Sequence, residues 1–283
     1  MSASRVAPRP AELVHRHRLV ADRRLGQHFL YDPAILERIA AAAAPFGGVA
    51  TLEVGPGPGG LTRALLEAGA DPLWAIERDP RFVAALRELD SAYPGRLRLV
   101  TADARLVPLA SLDPARPFVI VANLPFNVGT ELLLGWLDQL DRIARFVLMF
   151  QKEVADRLVA RPHSADYGRL SVLVQACLRV ERLFDLAPGA FQPPPKVAAS
   201  VVRLEPRPDR PNAMVRAQLE RLTAVAFGRR RKMLRANLRR LGPEVLERLA
   251  ALGVSPTARA EEVEVATWLA LARSLPPLSR ASA

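Results

Sequence analysis

The sequence predicts an α/β fold, a mostly parallel sheet covered on both faces, followed by a small C-terminal all-helical domain. Three observations carry this reading. Short apolar runs alternate with helix-length segments between residues 49 and 150, the first run leads directly into a glycine cluster, and strand-like runs cease after Pro206. Runs that stay apolar at consecutive positions suit strands buried from both sides, the environment of parallel strands joined by helices.

The strand candidates are residues 49–54, 73–76, 97–100, 118–122 and 145–150, with helices expected from Leu61, over 80–89 and over 131–140. Two later runs, 178–186 and 200–204, flank the proline-rich segment 191–196 and are expected to pair antiparallel at one edge of the sheet. The cluster Glu205-Pro206-Arg207-Pro208-Asp209-Arg210-Pro211 reads as a hinge, because prolines so closely spaced interrupt both helix and ladder hydrogen bonding. Beyond it, 215–227, 231–241, 244–251 and 261–274 have helix length and are separated by Gly228, by Gly242-Pro243 and by the stretch from Gly253 to Pro256. The expected division is a basic, flexible lead over 1–24, an α/β domain over 25–206 and a helical domain over 207–283.

The 283 residues are 50% apolar and 24% charged, with one cysteine and a formal net charge of +11. That length and composition supply an ample core and exclude mass disorder. A disulfide scaffold is excluded as well: Cys177 has no partner, and no second thiol exists from which to build a cysteine zinc site. His15, His17, His28 and His163 are scattered without metal-ligand spacing, so no metal is expected. The first residues hold no apolar stretch long enough for a signal peptide or membrane span, so the chain is expected in the cytoplasm without membrane contact.

The charge comes from 40 Lys plus Arg against 29 Asp plus Glu. A polyanion rewards such a surplus through counterion release, whereas an arginine-rich coding bias would scatter it, so placement decides between them. Residues 221–243 contain Arg221, Arg229, Arg230, Arg231, Lys232, Arg235, Arg239 and Arg240 and no acid. On a helix from Arg231, the residues Arg231, Arg235 and Arg239 share one face while Leu234, Leu238 and Leu241 mark another. Arg229, Arg230, Arg231, Lys232, Arg235 and Arg239 are therefore the candidate phosphate-facing residues.

The run 49–54 enters Gly55-Pro56-Gly57-Pro58-Gly59-Gly60, where bare glycines at 55 and 57 let a ligand approach the main chain. Glu53 lies two residues before Gly55, Glu77 ends the second strand, and Asp103 follows the third. An acid at the second strand end suits ribose hydroxyls, and Asp103 is placed to accept from an adenine amine. A nicotinamide dinucleotide and S-adenosylmethionine both fit this much. Glu53 beside the glycines favours the cationic ligand, S-adenosylmethionine. The fourth run delivers Asn123-Leu124-Pro125-Phe126 to the same edge: an amide oxygen at Asn123, carbonyls at Leu124 and Pro125, and a flat ring at Phe126 form a receptor for an aromatic amine.

Asn123-Leu124-Pro125-Phe126 resembles the Asn-Leu-Pro-Tyr/Phe motif of the ribosomal RNA adenine dimethyltransferases. Gly26-Gln27-His28-Phe29-Leu30, the run from Glu53 to Thr62, Gln151-Lys152-Glu153-Val154-Ala155, Tyr167-Gly168-Arg169-Leu170-Ser171, the run from Phe191 to Val197 and the run from Phe227 to Lys232 are similar to further motifs of that family, over about residues 24–270. The resemblance is to the small-subunit group. It implies a Rossmann-like class I methyltransferase with a seven-stranded, mostly parallel sheet, making 25–206 a methyltransferase domain and 207–283 an RNA-binding domain. The implied reaction transfers two methyls from S-adenosylmethionine to N6 of each of two adjacent adenosines near the 3′ end of small-subunit rRNA, during late ribosome assembly.

By the same resemblance Gln27, Gly55, Glu77, Asp103 and Asn123 match cofactor positions, and His28, Leu30, Glu53, Gly57 and Ala104 are placed with them. Asn123, Leu124, Pro125 and Phe126 hold the target base, with Phe191 the candidate for its opposite face. Phe126 stands where Tyr is more usual, which keeps the stacking face and removes a hydroxyl. The expected partner is small-subunit rRNA within a pre-ribosomal particle, met by a monomer. Three other readings stay open on the residues: a large-subunit dimethylase of the resistance type, a DNA adenine methyltransferase, and a non-catalytic RNA-binding or transcription-assisting protein.

Overall fold

The structure, a computed structural model, describes residues 7–22, 26–229, 232–255 and 257–276. The chain divides into two compact units, Met1–Ala155 with Glu181–Glu205, and Asp156–Val180 with Pro206–Ala283. The boundary expected after residue 206 coincides with one crossing. Residues 156–180, placed with the α/β domain by their position in the sequence, belong instead to the second unit.

The first unit opens with α1 (Pro10–Arg16), β1 (Phe29–Leu30) and α2 (Pro33–Ala43), the last capped by Asp32 and started by a proline at its first turn. The α/β alternation follows as β2 (Ala50–Val54), α3 (Gly60–Glu67), β3 (Leu73–Glu77), α4 (Pro80–Asp90), β4 (Leu97–Thr101), α5 (Leu109–Leu112), β5 (Phe118–Asn123), α6 (Gly129–Trp136) and β6 (Ile143–Gln151). The chain then forms α7 (Lys152–Val159), α8 (Arg169–Cys177), β7 (Leu178–Leu186), β8 (Phe191–Gln192) and β9 (Ala199–Pro206). The helices after the hinge are α9 (Ala213–Ala226), α10 (Leu234–Leu238), α11 (Pro243–Ala251) and α12 (Val265–Ser274).

Seven strands form one sheet in the order β4-β3-β2-β5-β6-β9-β7, and β1 pairs with β8 in a separate two-stranded ladder. The run at 199–206 lies beside β7 as expected, inserted between it and β6 and antiparallel to β6. The other resolved pairings, β2 with β3 and β5, β3 with β4 and β5 with β6, are parallel. All five residues of β2 are buried, as are the first five of β5, which explains their unbroken apolar character. From β2 the chain goes one way to β3 and later returns on the other side as β5. The strand order therefore reverses at β2, and the crevice at the carboxyl ends of β2 and β5 is where ligands bind in such sheets.

Residues 7–22, the described part of the basic lead, form a helix and packed turns where a flexible segment is expected. Leu13 and Leu19 are buried with Phe82 and Ala85, and both Arg16 and His17 pair with Glu88 of α4. Its charged side chains mask an apolar stripe too short to register as a periodic helix.

In the second unit the hydroxyl of Tyr167, fully buried, donates to the Val263 carbonyl at 2.8 Å, and its ring meets Phe227, which in turn packs on Trp268. The helix expected over 231–241 is shorter. It starts at Leu234, whose N–H donates to Ala258 O at 2.7 Å rather than closing a preceding turn, and it tightens to a 3₁₀ turn over Arg239–Leu241 before Gly242. Tyr167→Phe leaves the Val263 carbonyl unsatisfied in the interior. It is expected to lower stability by about 1–3 kcal/mol, read as a fall in the urea midpoint with unchanged slope.

Candidate active site

After β2 the glycine loop adopts left-handed backbone at Gly55 (φ +69°), Gly57 (φ +54°) and Gly59 (φ +83°). Gly55 N–H donates to Ile76 O at 2.9 Å, and Gly57 N–H donates to Glu77 Oε2 at 3.1 Å, which ties the loop to the neighbouring strand end. A Cβ at Gly57 would come within 2.9 Å of the Phe29 ring, so only glycine fits between that ring and the loop. Glu77 Oε1 accepts from Asp79 N–H at 2.9 Å. Burial raises the Glu77 pKa, and these two backbone donors offset part of the rise. Arg78 N–H acts on the same carboxylate, and a carboxylate has acceptor capacity beyond these backbone donors for a ribose hydroxyl.

Asp103 sits at the mouth of the same cleft, where the Arg105 guanidinium holds its carboxyl down to about 2, with contacts of 2.6 and 3.0 Å. Arg105 also reaches Glu131 of α6 at 3.4 Å. Gln27, His28, Gly55, Gly57, Glu77, Asp103 and Ala104 all line this cleft, together with the whole stretch Asn123 to Phe126. Arg78 and Arg105 line it too and escaped the sequence reading. The signal available for Arg105 was the aspartate two residues earlier, a spacing repeated at Asp79 and Arg81, where the guanidinium again grips the carboxylate at 2.6 Å.

Four expected contacts are placed differently. Glu53, 1% exposed, points away from the cleft because alternate residues of a strand face opposite sides; it lines a narrow cavity beneath the loop with Leu30, Ile39 and Met149. Its Oε2 has no hydrogen-bond partner. Burial pushes its carboxyl up to about 8; Thr62, whose hydroxyl lies beside it without closing a full hydrogen bond, offsets part of this, and Glu77 adds to it. Leu30 is buried in that inner wall rather than the cleft. Phe191 pairs with Leu30 across the β1–β8 ladder, is 4% exposed within the core and does not line the cleft. The Pro125 carbonyl already accepts from Val128 N–H and Gly129 N–H, each at 3.1 Å, as α6 begins, so it is spent on the turn.

What remains is a compact receptor. Asn123 Nδ2 donates to His28 O at 2.9 Å, leaving the amide oxygen as an acceptor, and Leu124, the next residue, lines the same cleft. The Phe126 ring is half-buried, with its centroid 5.6 Å from that of His28.

A profile of the family described as ribosomal RNA adenine dimethylase matches residues 19–276. The chain belongs to this family. The small-subunit rRNA methyltransferase A of Methylobacterium radiotolerans is 54% identical over 282 residues, covering 96% of this chain and 94% of that protein. Its counterpart in Rhodospirillum rubrum is 52% identical over 265 residues, covering 93% and 91%. Among solved structures, a dimethyladenosine transferase from Plasmodium falciparum superposes with a TM-score of 0.75 at 25% identity, over 86% of this chain and 96% of that one. The 23S rRNA methyltransferase ErmE superposes with a TM-score of 0.67 at 28% identity, over 87% and 98%.

The methyl donor of the family is S-adenosylmethionine, and the cleft fits it. Glu77 offers acceptors for a ribose carrying no phosphate and Asp103 for an exocyclic amine. Glu53, protonated and outside the cleft, does not play the cation-favouring part expected of it.

In the second unit Arg229, Lys232, Arg235 and Arg239 are all exposed. The side-chain amide of the buried Asn237 donates to Ala226 O at 2.7 Å and to Arg229 O at 3.2 Å, which fixes the turn that presents the first of them. Arg230 and Arg231 lie outside the described residues, and the short α10 replaces the three-turn arginine stripe.

Glu53 keeps its proton in the native chain up to about 8 but releases it near 4.5 when unfolded. The unfolded state therefore binds fewer protons in that window, and this group makes stability fall as pH rises through it. Glu53→Gln removes the dependence. Its stability relative to the parent, from urea denaturation, is expected to improve with pH by up to ~1.4 kcal/mol per unit between about pH 5 and 8.

Proposed function

We infer that this chain transfers methyls from S-adenosylmethionine to N6 of two adjacent adenosines near the 3′ end of small-subunit rRNA, giving dimethyladenosines. The observation that carries the reading is the Asn123 amide, whose nitrogen is engaged by His28 O and whose oxygen is left free beside Phe126, in the cleft that also holds the glycine loop and Glu77. Near-full-length relatives at 49–54% identity are small-subunit enzymes, which favours that substrate over the large-subunit RNA methylated by ErmE.

S-adenosylmethionine supplies an activated methyl on a sulfonium centre. The chain's own residues must hold the amine. Its lone pair is delocalised into the adenine ring, and acceptors at Asn123 Oδ1 and the Leu124 carbonyl favour the pyramidal nitrogen that attacks. Phe126 stacks on the base and fixes its plane, and the rigid strand end limits misalignment. The methylated nitrogen is a strong acid, so its proton passes to water without a dedicated base.

The RNA itself is larger than the pocket. Arg229, Lys232, Arg235 and Arg239 are proposed to neutralise backbone phosphates of a structured stem while one unpaired adenosine is turned into the cleft. The working partner is proposed to be a pre-ribosomal particle in the cytoplasm, met by a monomer.

Asn123→Ala is expected to lower methylation of small-subunit particles by at least about 100-fold while RNA affinity stays near the parent's; transfer at the parental rate would remove the assigned amine receptor. Neutralising Arg229, Lys232, Arg235 and Arg239 together is expected to flatten the dependence of log K on log salt by up to about 3 to 4 units. Filter binding across a salt series measures it, and an unchanged slope would place the RNA surface elsewhere.

A further inference from the structure

The target amine meets an acceptor only if the Asn123 amide is turned the right way, and the structure shows what turns it. Asn123 Nδ2 lies 2.9 Å from His28 O. The opposite orientation would set two acceptor oxygens against each other at that distance, so the main chain at residue 28 selects the amide orientation that leaves Oδ1 free.

That main chain is itself anchored. His28 Nδ1 lies 2.8 Å from Pro193 O, and a carbonyl only accepts, so Nδ1 carries the proton and donates. The next two residues continue the attachment, Phe29 opposite Gln192 and Leu30 opposite Phe191. On the other side Gly26, at φ +70°, packs so closely that a Cβ would meet Asn127 Oδ1 at 3.3 Å. The imidazole also stands against Phe126, 5.6 Å between centroids and 32° between planes. One side chain thus touches the ring that stacks on the base and pins the carbonyl that orients its acceptor.

We propose that His28 is a positioning residue for the methyl-accepting amine: by donating to Pro193 O it holds the segment whose carbonyl orients Asn123 and whose ring braces Phe126. The proposal rests on the adenine-methylating reading of the cleft and adds to His28, beyond a place in the cofactor wall, a role on the acceptor side. Asparagine in its place would still present an N–H donor near the Nδ1 position, whereas phenylalanine would keep a ring against Phe126 and lose the donor.

The test compares His28→Ala, His28→Asn and His28→Phe in the full chain, with folding checked by thermal melts. At saturating S-adenosylmethionine, kcat on small-subunit particles is expected to fall by about 10- to 100-fold in H28A and H28F and to recover most of the way in H28N. Affinity for S-adenosylhomocysteine by calorimetry is expected to weaken to a similar extent in all three, since each removes the imidazole from the cofactor wall, so it does not account for a recovery of kcat confined to H28N. NMR of the Asn123 side-chain amide gives a readout independent of turnover: its hydrogens should exchange slowly in the parent and H28N, and rapidly in H28A. Equal impairment of H28N and H28A, parental kcat in H28F, or a loss confined to cofactor affinity would each overturn the proposal. A parental chain that methylates no small-subunit adenosine would instead overturn the functional reading, while the amide-exchange comparison would still decide the positioning role.

Discussion

The parallel pairing of β2 with β5 is the constraint on which the rest depends. With Glu53 opposite Val121, the chain leaves β2 into the glycine loop at the level where β5 ends in Asn123. The cofactor loop and the amine receptor are therefore walls of one cleft, although about seventy residues separate them in sequence. This pairing needs β2 buried on both faces, which explains why a carboxylate sits inside a run otherwise composed of Ala, Thr, Leu and Val. An exposed β2 would let Glu53 ionise freely, and the inner wall of the loop would lose its unpartnered acceptor.

Charge is separated by depth. The chain carries +11, yet its acids near the site are sheltered: Glu53 is buried beneath the glycine loop, Glu77 is buried in the cleft, and Asp103 is held beside it by Arg105. Burial raises the first two, and only Glu77 has backbone donors to counter it, through Gly57 and Asp79. Glu77 adds to the rise at Glu53, whereas the backbone donors at Glu77 favour its charged form. The exposed arginines of the second unit are proposed to meet the polyanion, whereas the cleft combines Glu77 and Asp103 with Arg78 and Arg105.

Much of this was legible because it is written in contiguous stretches. Five apolar runs marked strands of the sheet, and Gly55, Gly57, Glu77, Asp103 and Asn123 to Phe126 line one cleft because each lies at or just beyond a strand end on the same edge. What could not be read depends on the direction a side chain faces or on remote partners. Glu53 and Leu30 belong to the inner wall, a matter of strand alternation and of the small β1–β8 ladder; Phe191 is drawn into the core by that ladder. The Pro125 carbonyl is consumed by α6, and α10 is shortened by a bond to Ala258, twenty-four residues beyond Leu234. Residues 156–180 fold with the second unit, which no boundary drawn at one point along a sequence can express.

The loss of the Pro125 carbonyl bears on why the reaction proceeds twice. An unmodified amine has two N–H groups, and the receptor has two available acceptors, Asn123 Oδ1 and the Leu124 carbonyl. After one transfer a single N–H remains, so one acceptor goes without its donor. An acceptor left unsatisfied in a buried site costs about 1–3 kcal/mol, more than a half-solvated one would lose. A third convergent acceptor would find no N–H even on the unmodified amine, which has only two, and would leave two acceptors unsatisfied after the first transfer. With Pro125 spent on the turn that follows, the proposed receptor keeps two acceptors, and stacking on Phe126 is proposed to retain the base between transfers.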